Sequence, residues 1–354
     1  IPAADAGHIR MAAQTGRRIV DMVWEDLTPE KVLDRRAFDN AAIVAMSMGC
    51  STNAVIHLIA MARRAGVMLT LDDLDAFSRL VPVIANVRPS GDTYLMEDFY
   101  YAGGLRGLMS RLTGHLKLDA VTVSGKTLGE TLDGAEVYND DVIRPLDNPL
   151  YDEGSLALLR GNLAPKGCVI KPSACDPRFY NHEGPALVFD SYPEMKKAVD
   201  DENLDVTADH VLVLRGAGPQ GGPGMPEWGM LPLPKKLLKQ GIRDMLRMSD
   251  ARMSGTSYGA CILHVSPESH VGGPLALLKT GDIVKIDIPN RTIDMLVDED
   301  ELARRRAAWT PPAPKFARGY GWMFAQHIRQ ADEGCDFDYL ETQFGAPVGE
   351  PDIF

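Results

Sequence analysis

The feature that most constrains the fold is a series of short apolar runs of β-type residues in the second half of the chain. Single runs occupy 168–171, 186–190, 210–214 and 261–265, and a pair of runs occupies 282–288 and 292–297. In the first arm of that pair Val284, Ile286 and Ile288 alternate with Lys285 and Asp287, which predicts a hairpin with one buried face. Helical stretches are interspersed at 192–201, 234–241 and 300–309. The pattern favours a β-barrel or a closed β/α sheet over a doubly wound parallel sheet.

The first half of the chain is predicted to be mostly helical. Apolar residues recur with a helical period over 7–27, and Thr28 followed by Pro29 is typical of a helix start. An apolar helix is expected to end at Gly66, and Thr70 is expected to open the next one.

The N-terminus of the apolar helix is a candidate anion site. Ser51 or Thr52 is expected to cap it, and a simple cap is the alternative to a ligand contact.

A change of character between 119 and 150 suggests a domain edge. Glycines and prolines interrupt the periodic pattern in this segment. We therefore predict two domains, 1–150 and 151–354. The second is expected to end in a helical, aromatic-rich tail at 320–339 that packs on a partner.

Composition narrows the class of protein. The chain has 354 residues and a net charge of −12, which argues against nucleic acid or an anionic membrane surface as a partner. No apolar run reaches the length of a membrane span. The five cysteines are scattered and form no C-x-x-C pair, which argues against a disulfide framework, against a metal cluster held wholly within this chain, and for a reducing cytoplasm. Cys168 and Cys175 are the nearest pair.

The stretch 247–259 (RMSDARMSGTSYG) is one candidate for chemistry. It is rich in hydroxyl side chains, glycine and arginine, which is too polar and too flexible for a core strand. A strand–loop–strand corner of this kind can hold a hydroxyl and several backbone N–H groups at one point, and an ordinary Ser/Gly turn is the alternative. A serine hydrolase is a second alternative for Ser254, with His264 and His270 close in sequence, although no G-x-S-x-G elbow surrounds the serine. His57 is expected to be a core or surface histidine rather than a base.

The stretch 215–229 is the second candidate. Six glycines and three prolines directly follow a predicted strand, a composition that brings backbone close to a ligand in a stiff loop. It matches neither a dinucleotide fingerprint nor a P-loop. Glu227 is its only carboxylate and is a candidate ligand for a hard divalent ion, with a solvent-facing acid as the alternative.

Taken together, six segments in fixed order resemble one family over nearly the whole chain. They are 49–58 (GCSTNAVIHL), 96–104 (MEDFYYAGG), 160–165 (RGNLAP), 218–227 (GPQGGPGMPE), 249–256 (SDARMSGT) and 264–268 (HVSPE). The chain resembles the iron–sulfur dehydratases of the dihydroxy-acid dehydratase and 6-phosphogluconate dehydratase family. It looks most like the members that act on pentonates such as L-arabinonate or D-xylonate. Branched-chain biosynthetic members usually have MEDV and DGRFSG where this chain has MEDF and DARMSG.

The resemblance implies a reaction and roles for particular residues. A sugar acid with hydroxyls at C2 and C3 would lose water to give a 2-keto-3-deoxy acid, with an iron–sulfur cluster and Mg²⁺ as cofactors. By match to the family's motifs, Ser254 would be the base that removes the C2 proton, and Glu227 would be a Mg²⁺ ligand. Gly255 and Thr256 would contact the substrate. Because an ordinary serine is too weak a base, neighbouring cations must stabilise its alkoxide.

The resemblance also implies an architecture and an assembly. Family members have an α/β first domain, here truncated to its later helices, followed by a β-barrel domain, and they form homodimers or homotetramers. The family's cluster cysteines and other Mg²⁺ ligands belong to motifs N-terminal to anything here, so Cys50 is not expected to be a cluster ligand. The chain is thus expected to be the C-terminal part of a longer enzyme, without cluster ligands or activity of its own. The alternatives are a dihydroxy-acid dehydratase of branched-chain amino-acid synthesis and a non-catalytic binding or assembly module.

Overall fold

In the computed structural model of the chain, the structure is described for residues 1–225, 227–228, 231–254 and 258–340. The α-helices of this part are α1 (Ala6–Trp24), α2 (Pro29–Val32), α3 (Arg35–Met48), α4 (Asn53–Arg64), α5 (Leu71–Leu80), α6 (Met96–Tyr101), α7 (Gly104–Arg111), α8 (Leu128–Leu132), α9 (Tyr192–Asp200), α10 (Lys235–Lys239), α11 (Glu299–Ala308) and α12 (Gly319–His327). The strands are β1 (Ala157–Leu159), β2 (Gly167–Ile170), β3 (Asn181–Phe189), β4 (Val211–Leu214), β5 (Glu227–Trp228), β6 (Arg247–Ser249), β7 (Arg252–Met253), β8 (Cys261–Ser266), β9 (Ile283–Asp287) and β10 (Thr292–Met295).

The helical first half forms because its sequence supplies caps as well as apolar faces. Thr70 and Asp73 make a capping box at the start of α5, in which each side chain accepts a hydrogen bond from the other's backbone N–H. Gly49 ends α3 with φ at 85°, a conformation that glycine adopts without a steric cost. The N-cap residue of α4 is Thr52, and the capping hydrogen bond that its side chain could accept is not found among the described residues, while Ser51 Oγ accepts one from the Asn53 N–H. The predicted helices of this half are confirmed, and within residues 1–150 the structure contains no regular strand.

The second half is a nearly closed eight-stranded barrel. The strand order is β1-β2-β8-β6-β4-β3-β9-β10, with parallel pairs in the centre and antiparallel pairs towards both edges. Arg160, the residue after β1, links the two edge strands, since its N–H donates to Arg291 O and its carbonyl accepts from Ile293 N–H, each at 3.0 Å. Such a bridge leaves little of either edge open. The prediction of a barrel rather than a doubly wound sheet is confirmed.

Burial follows the predicted strand pattern. Val284 and Ile286 of β9 are fully buried, while Lys285 between them is exposed. All four residues of β4 are buried, as expected for a central parallel strand. Each such aliphatic side chain contributes about 1.5–3 kcal/mol when it is removed from water. Most buried apolar residues of the helices and of the barrel form one continuous cluster, and Ile56, Met225 and Ala331 form a second, small one. The division into domains at residue 150 remains a prediction.

One expectation about the stretch 247–259 is wrong. We expected it to be too polar for a core strand, yet Arg247–Ser249 is β6, a fully buried strand between β4 and β8. The Arg247 guanidinium is tolerated there because it donates to Leu231 O at 2.9 Å and to Tyr258 O at 3.0 Å, and pairs with Asp244 at 3.3 Å. A buried charge with several acceptors is far less costly than one without them.

The aromatic tail is only partly helical. Helix α12 ends at His327, and an antiparallel bridge between Ile328 and Phe337 follows it. Phe324 and Phe337 meet edge to face at 5.3 Å between ring centroids. The packing of this tail on a partner remains a prediction.

Among the described residues, we find no helix with the length and apolarity that a membrane crossing requires.

Candidate active site

The glycine-rich loop after β4 is held at its start by the buried carboxylate of Asp250. Asp250 accepts hydrogen bonds from Gly216 N–H at 3.2 Å and from Ala217 N–H at 3.0 Å. Ser269 donates to the same carboxylate from its Oγ, at 2.6 Å. Backbone N–H groups that converge on a carboxylate make strong, charge-assisted hydrogen bonds. The first residues of the loop are thereby fixed against the end of β6.

A second buried carboxylate holds the middle of the same loop. Glu268 accepts from Gln220 N–H and from Gly221 N–H, each at 2.8 Å, and from Gln330 Nε2 at 2.9 Å. Burial raises the pKa of Glu268 even though these donors oppose the rise. A Cβ at Gly218 would lie 2.7 Å from the Glu268 side chain, so the close approach requires glycine.

The hydrogen bonds that Asp250 and Glu268 accept from the glycine-rich loop explain why three distant motifs occur together. The loop motif 218–227 supplies backbone donors, the motif 249–256 supplies Asp250, and the motif 264–268 supplies Glu268. Composition identified the loop, but it did not identify Asp250 or Glu268 as the residues that shape it. The sequence offered one signal for Asp250 and Glu268, namely that both lie next to strands and within motifs shared with the family.

The loop leads to Glu227, the predicted metal ligand. Its strand β5 pairs in parallel with β7, with Glu227 opposite Arg252 and Trp228 opposite Met253. Glu227 is exposed, so its carboxylate is open to an ion from outside the chain. Its Oε1 accepts a hydrogen bond from Asn53 Nδ2 at 2.7 Å.

Asn53 connects both strands of this pair to the helical half, and sequence reasoning missed it. Besides Glu227, its Nδ2 donates to Met253 O at 3.2 Å. Its Oδ1 is buried and lacks a hydrogen-bond partner in the part of the chain that the structure describes. Asn53 lies at the first position of α4, within the motif 49–58, which was the one signal that could have singled it out.

Ser254, the predicted base, directly follows β7 and is half-buried. It lines a small cavity of about 20 Å³ together with Ser51, Thr52, Lys171 and Cys261. A space of this size holds about one water molecule. The predicted substrate contacts Gly255 and Thr256 lie outside the described residues.

The geometry does not favour a serine hydrolase. His264 is buried, and burial lowers the pKa of its imidazole to about 3, with the nearby charge of Arg252 acting in the same direction. Neither of its ring nitrogens has a hydrogen-bond partner among the described residues. A triad histidine needs both a serine and an orienting acid. His270 lies in another cavity, beside Trp309 and Lys315.

A larger open cavity of about 460 Å³ is lined by residues of α4, by residues of the glycine-rich loop and by Arg252. Its lining includes His57, Arg64, Arg252 and Asp336. The Arg252 Nε donates to Met225 O at 2.6 Å, and its Nη1 lies 3.4 Å from His57 Nε2. The volume is in the usual range for a small-molecule site. His57 is exposed on α4, as a surface histidine was expected to be.

The resemblance implies two cofactors, Mg²⁺ and an iron–sulfur cluster. The described residues supply part of a site for Mg²⁺. Glu227 offers a single hard oxygen ligand that suits Mg²⁺. Among the described residues, no group of three His, Cys, Asp or Glu side chains could hold a metal ion. Burial raises the pKa of every cysteine thiol, that of Cys261 to about 11, and no set of thiolates for an iron–sulfur cluster is found in the described residues.

Two models of one protein family match the chain. The model described as dihydroxy-acid/6-phosphogluconate dehydratase N-terminal matches residues 1–131, and its C-terminal counterpart matches residues 141–335. The chain therefore belongs to the dihydroxy-acid/6-phosphogluconate dehydratase family. The resemblance drawn from the six motifs is confirmed.

Similar proteins from bacteria agree with this membership. The chain is 54% identical over 356 residues to a 6-deoxy-6-sulfo-D-gluconate dehydratase from Pseudomonas putida, with 100% of this chain and 61% of the relative covered. It is 47% identical over 352 residues to an L-arabinonate dehydratase from Rhizobium leguminosarum bv. trifolii, with 99% and 61% covered. It is 42% identical over 338 residues to a dihydroxy-acid dehydratase from Desulfatibacillum aliphaticivorans, with 95% and 60% covered. The chain thus spans about three fifths of the length of these curated relatives.

Proposed function

We propose that the chain belongs to a hydro-lyase that removes water from a sugar acid, an aldonate such as L-arabinonate, and yields a 2-keto-3-deoxy acid. The observation that carries the proposal is the parallel pairing of β5 with β7, in which Glu227 lies opposite Arg252 and Ser254 is the residue that directly follows β7. The hydrogen bonds of Asn53 to both strands support a fixed relation between the two residues. A metal ligand beside a candidate base is the arrangement that α-proton removal next to a carboxylate requires.

In this proposal Ser254 acts as the base in its alkoxide form. Its Oγ accepts the proton from C2 of the bound acid, and the electron pair of that C–H bond forms the C2=C3 double bond. The C3 hydroxyl leaves and takes up a proton to become water, and the resulting enol tautomerises to the 2-keto acid. The half-buried position of Ser254 suits this role, because bulk water solvates a charged oxygen there only partly.

Glu227 is proposed to bind Mg²⁺ through its carboxylate. A bound ion would supply Lewis acidity that polarises the substrate and makes its C2 proton more acidic. Gly255 and Thr256 are proposed to contact the substrate. The family resemblance also implies an iron–sulfur cluster as cofactor, but the cysteines of this chain offer no ligand set for it, and we assign it no step.

The choice of a sugar acid over a branched-chain acid rests on sequence identity. The identity is 54% and 47% to the two sugar-acid dehydratases and 42% to the dihydroxy-acid dehydratase. The open cavity beside Arg252 does not decide between the two acids, because its lining combines charged side chains such as Arg64 with apolar ones such as Met61 and Phe324.

The test is a substrate panel on the complete protein, prepared anaerobically and supplied with Mg²⁺. We expect turnover of L-arabinonate or another aldonate, measured as 2-keto acid, to exceed turnover of 2,3-dihydroxyisovalerate. A clear preference for the branched-chain substrate would overturn the proposal in favour of the dihydroxy-acid dehydratase. Absence of turnover on every acid, in a protein with a fully loaded cluster, would favour the non-catalytic module.

The assembly and location are part of the same proposal. We propose a homodimer or homotetramer in the cytoplasm, with a small sugar acid as the ligand and neither nucleic acid nor membrane as a partner. Light scattering of the purified complete protein at several concentrations measures its mass, and a monomer at all concentrations would contradict the assembly.

A further inference from the structure

Lys171 is a buried cation that the proposed function leaves unexplained. It directly follows β2, and only 8% of its surface is exposed. Its Nζ donates one hydrogen bond, of 2.7 Å, to Gly49 O, and the ion pairs of the described residues do not include it. An ammonium has three donors, so one carbonyl leaves most of its capacity unused. A buried charge without a charged partner is costly, and burial lowers the pKa of Lys171 to about 8.

Lys171 and Ser254 line the same cavity of about 20 Å³. The other titratable side chain in that lining is Cys261, whose pKa is raised by burial to about 11, so its thiol is neutral at pH 7. Cys50 lies beside Lys171, and burial raises its pKa as well. Of the described residues that line the cavity, Lys171 therefore carries the one formal charge.

The charged groups on the neighbouring strands are engaged elsewhere. The guanidinium of Arg252, on β7, donates to Met225 O and approaches His57. The carboxylate of Glu227, on β5, accepts from Asn53. The guanidinium of Arg247, on β6, approaches Gly259 of the lining, but it pairs with Asp244 at 3.3 Å and donates to Leu231 O and Tyr258 O. Among the described residues, Lys171 is therefore the cation that lines the cavity together with Ser254.

We propose that the Lys171 ammonium stabilises the deprotonated form of Ser254, directly or through the single water that the cavity can hold. This inference rests on the proposed role of Ser254 as a base. The serine loses its proton to water, and the negative charge of its oxygen in turn raises the pKa of Lys171, so that the ammonium remains protonated in the ion pair. An opposite charge within a few ångströms lowers the pKa of a hydroxyl or thiol, and a low local dielectric strengthens the effect. Lys171 is thus a positioning residue that acts through Ser254.

A purely structural role makes a different prediction. If Lys171 only tethers Gly49 O to the end of β2, then a neutral donor should serve equally well. Lys171→Gln keeps a hydrogen-bond donor and removes the charge. Lys171→Met removes both, and Lys171→Arg keeps the charge.

The experiment measures the acidity of position 254 directly. Ser254→Cys introduces a thiol whose alkylation by iodoacetamide is followed from pH 6 to pH 10, with peptide mass spectrometry to separate it from the native cysteines. We expect Lys171→Gln and Lys171→Met to raise the pH midpoint of alkylation by about one unit or more, and Lys171→Arg to retain it. Lys236→Met is the matched control, because Lys236 also donates to a backbone carbonyl, Leu204 O, away from the cavity.

An unchanged midpoint in Lys171→Gln would overturn the proposal, as would an equal shift in Lys236→Met. Thermal melting followed by circular dichroism verifies that each variant is folded. If Lys171→Met does not fold, Lys171→Gln and Lys171→Arg still decide the test. The assay needs neither substrate nor metal. Its outcome is therefore independent of whether the substrate panel finds a sugar acid.

Discussion

The side-chain amide of Asn53 donates a hydrogen bond of 2.7 Å to the carboxylate of Glu227, 174 positions further along the chain. The same nitrogen donates to Met253 O, next to Ser254. One residue of the helical half thereby binds both short strands, of which β5 contains the candidate metal ligand and β7 is directly followed by the candidate base. The organisation of the site depends on α4 as much as on the barrel.

Asn53→Ala is expected to weaken Mg²⁺ binding and to lower turnover by about tenfold or more, because partners that orient metal ligands usually contribute that much. The measurement is a Mg²⁺ titration of activity in the complete protein. Asn162→Ala is the control, since Asn162 makes a similar amide bridge to the backbone of Met295, away from the site. Parental Mg²⁺ dependence in Asn53→Ala would contradict the positioning role.

Ser254→Ala is expected to abolish turnover while it leaves the fold and the visible absorbance of the cluster intact. The reason is that the methyl group cannot accept the C2 proton. Steady-state rates on the best aldonate of the panel measure the effect. Ser110→Ala, at a half-buried serine on α7 that donates to Gly107 O, should behave like the parent. Residual activity within about tenfold of the parent would exclude Ser254 as the base.

Glu227→Gln is expected to shift the Mg²⁺ titration to higher concentration, because an amide oxygen is a weaker ligand for a hard cation than a carboxylate. The exposed Glu183, which pairs with Lys285 on the barrel surface, provides the control Glu183→Gln. If both variants titrate like the parent, Glu227 is not a metal ligand.

Because of Lys171, the free energy of unfolding should vary with pH in the alkaline range. Burial lowers its pKa to about 8 from a model-compound value of 10.5, so between these values the folded chain binds fewer protons than the unfolded chain. Stability from this group therefore rises with pH from about 8 to about 10.5 and is lost as pH falls through the same window, by about 3 kcal/mol at most. The difference between the urea unfolding free energies of the parent and of Lys171→Met, measured from pH 7 to pH 10.5, isolates this contribution. A difference that does not vary with pH would contradict the lowered pKa.

Gly218→Ala is expected to destabilise the protein by about 1–3 kcal/mol, because the added Cβ would meet Glu268 at 2.7 Å. Chemical unfolding measures the loss. Gly114→Ala is the control, since a Cβ there has open space. We also expect Gly218→Ala to weaken Mg²⁺ dependence, as the loop that leads to Glu227 is displaced. A Gly218→Ala variant as stable as the parent would mean that the Glu268 side chain moves away from the added Cβ at little cost.

Local patterns predicted most of the elements. The alternation of Val284, Lys285 and Ile286 is sufficient for a hairpin strand, and the caps at Thr70 and Gly49 are read within a few residues. The relations between elements could not be predicted in the same way. The acceptors that make Arg247 tolerable in a core strand lie at positions 231, 244 and 258, and only the folded barrel brings them together.

The same limit applies to the site. The motifs singled out Ser254 and Glu227, but Asn53 and Lys171 act through contacts more than 80 residues away in the chain. A single sequence contains the residue types of such contacts and no information on their pairing. The predicted contacts of Gly255 and Thr256 lie outside the described residues and remain predictions.

The two carboxylates that accept hydrogen bonds from the glycine-rich loop also restrict its length. Asp250 holds Gly216 and Ala217, and Glu268 holds Gln220 and Gly221, so only two residues separate one grip from the other. An insertion or deletion between them would force one carboxylate to release its donors and leave a buried charge unsatisfied. We therefore expect this segment to keep a constant length wherever the site works.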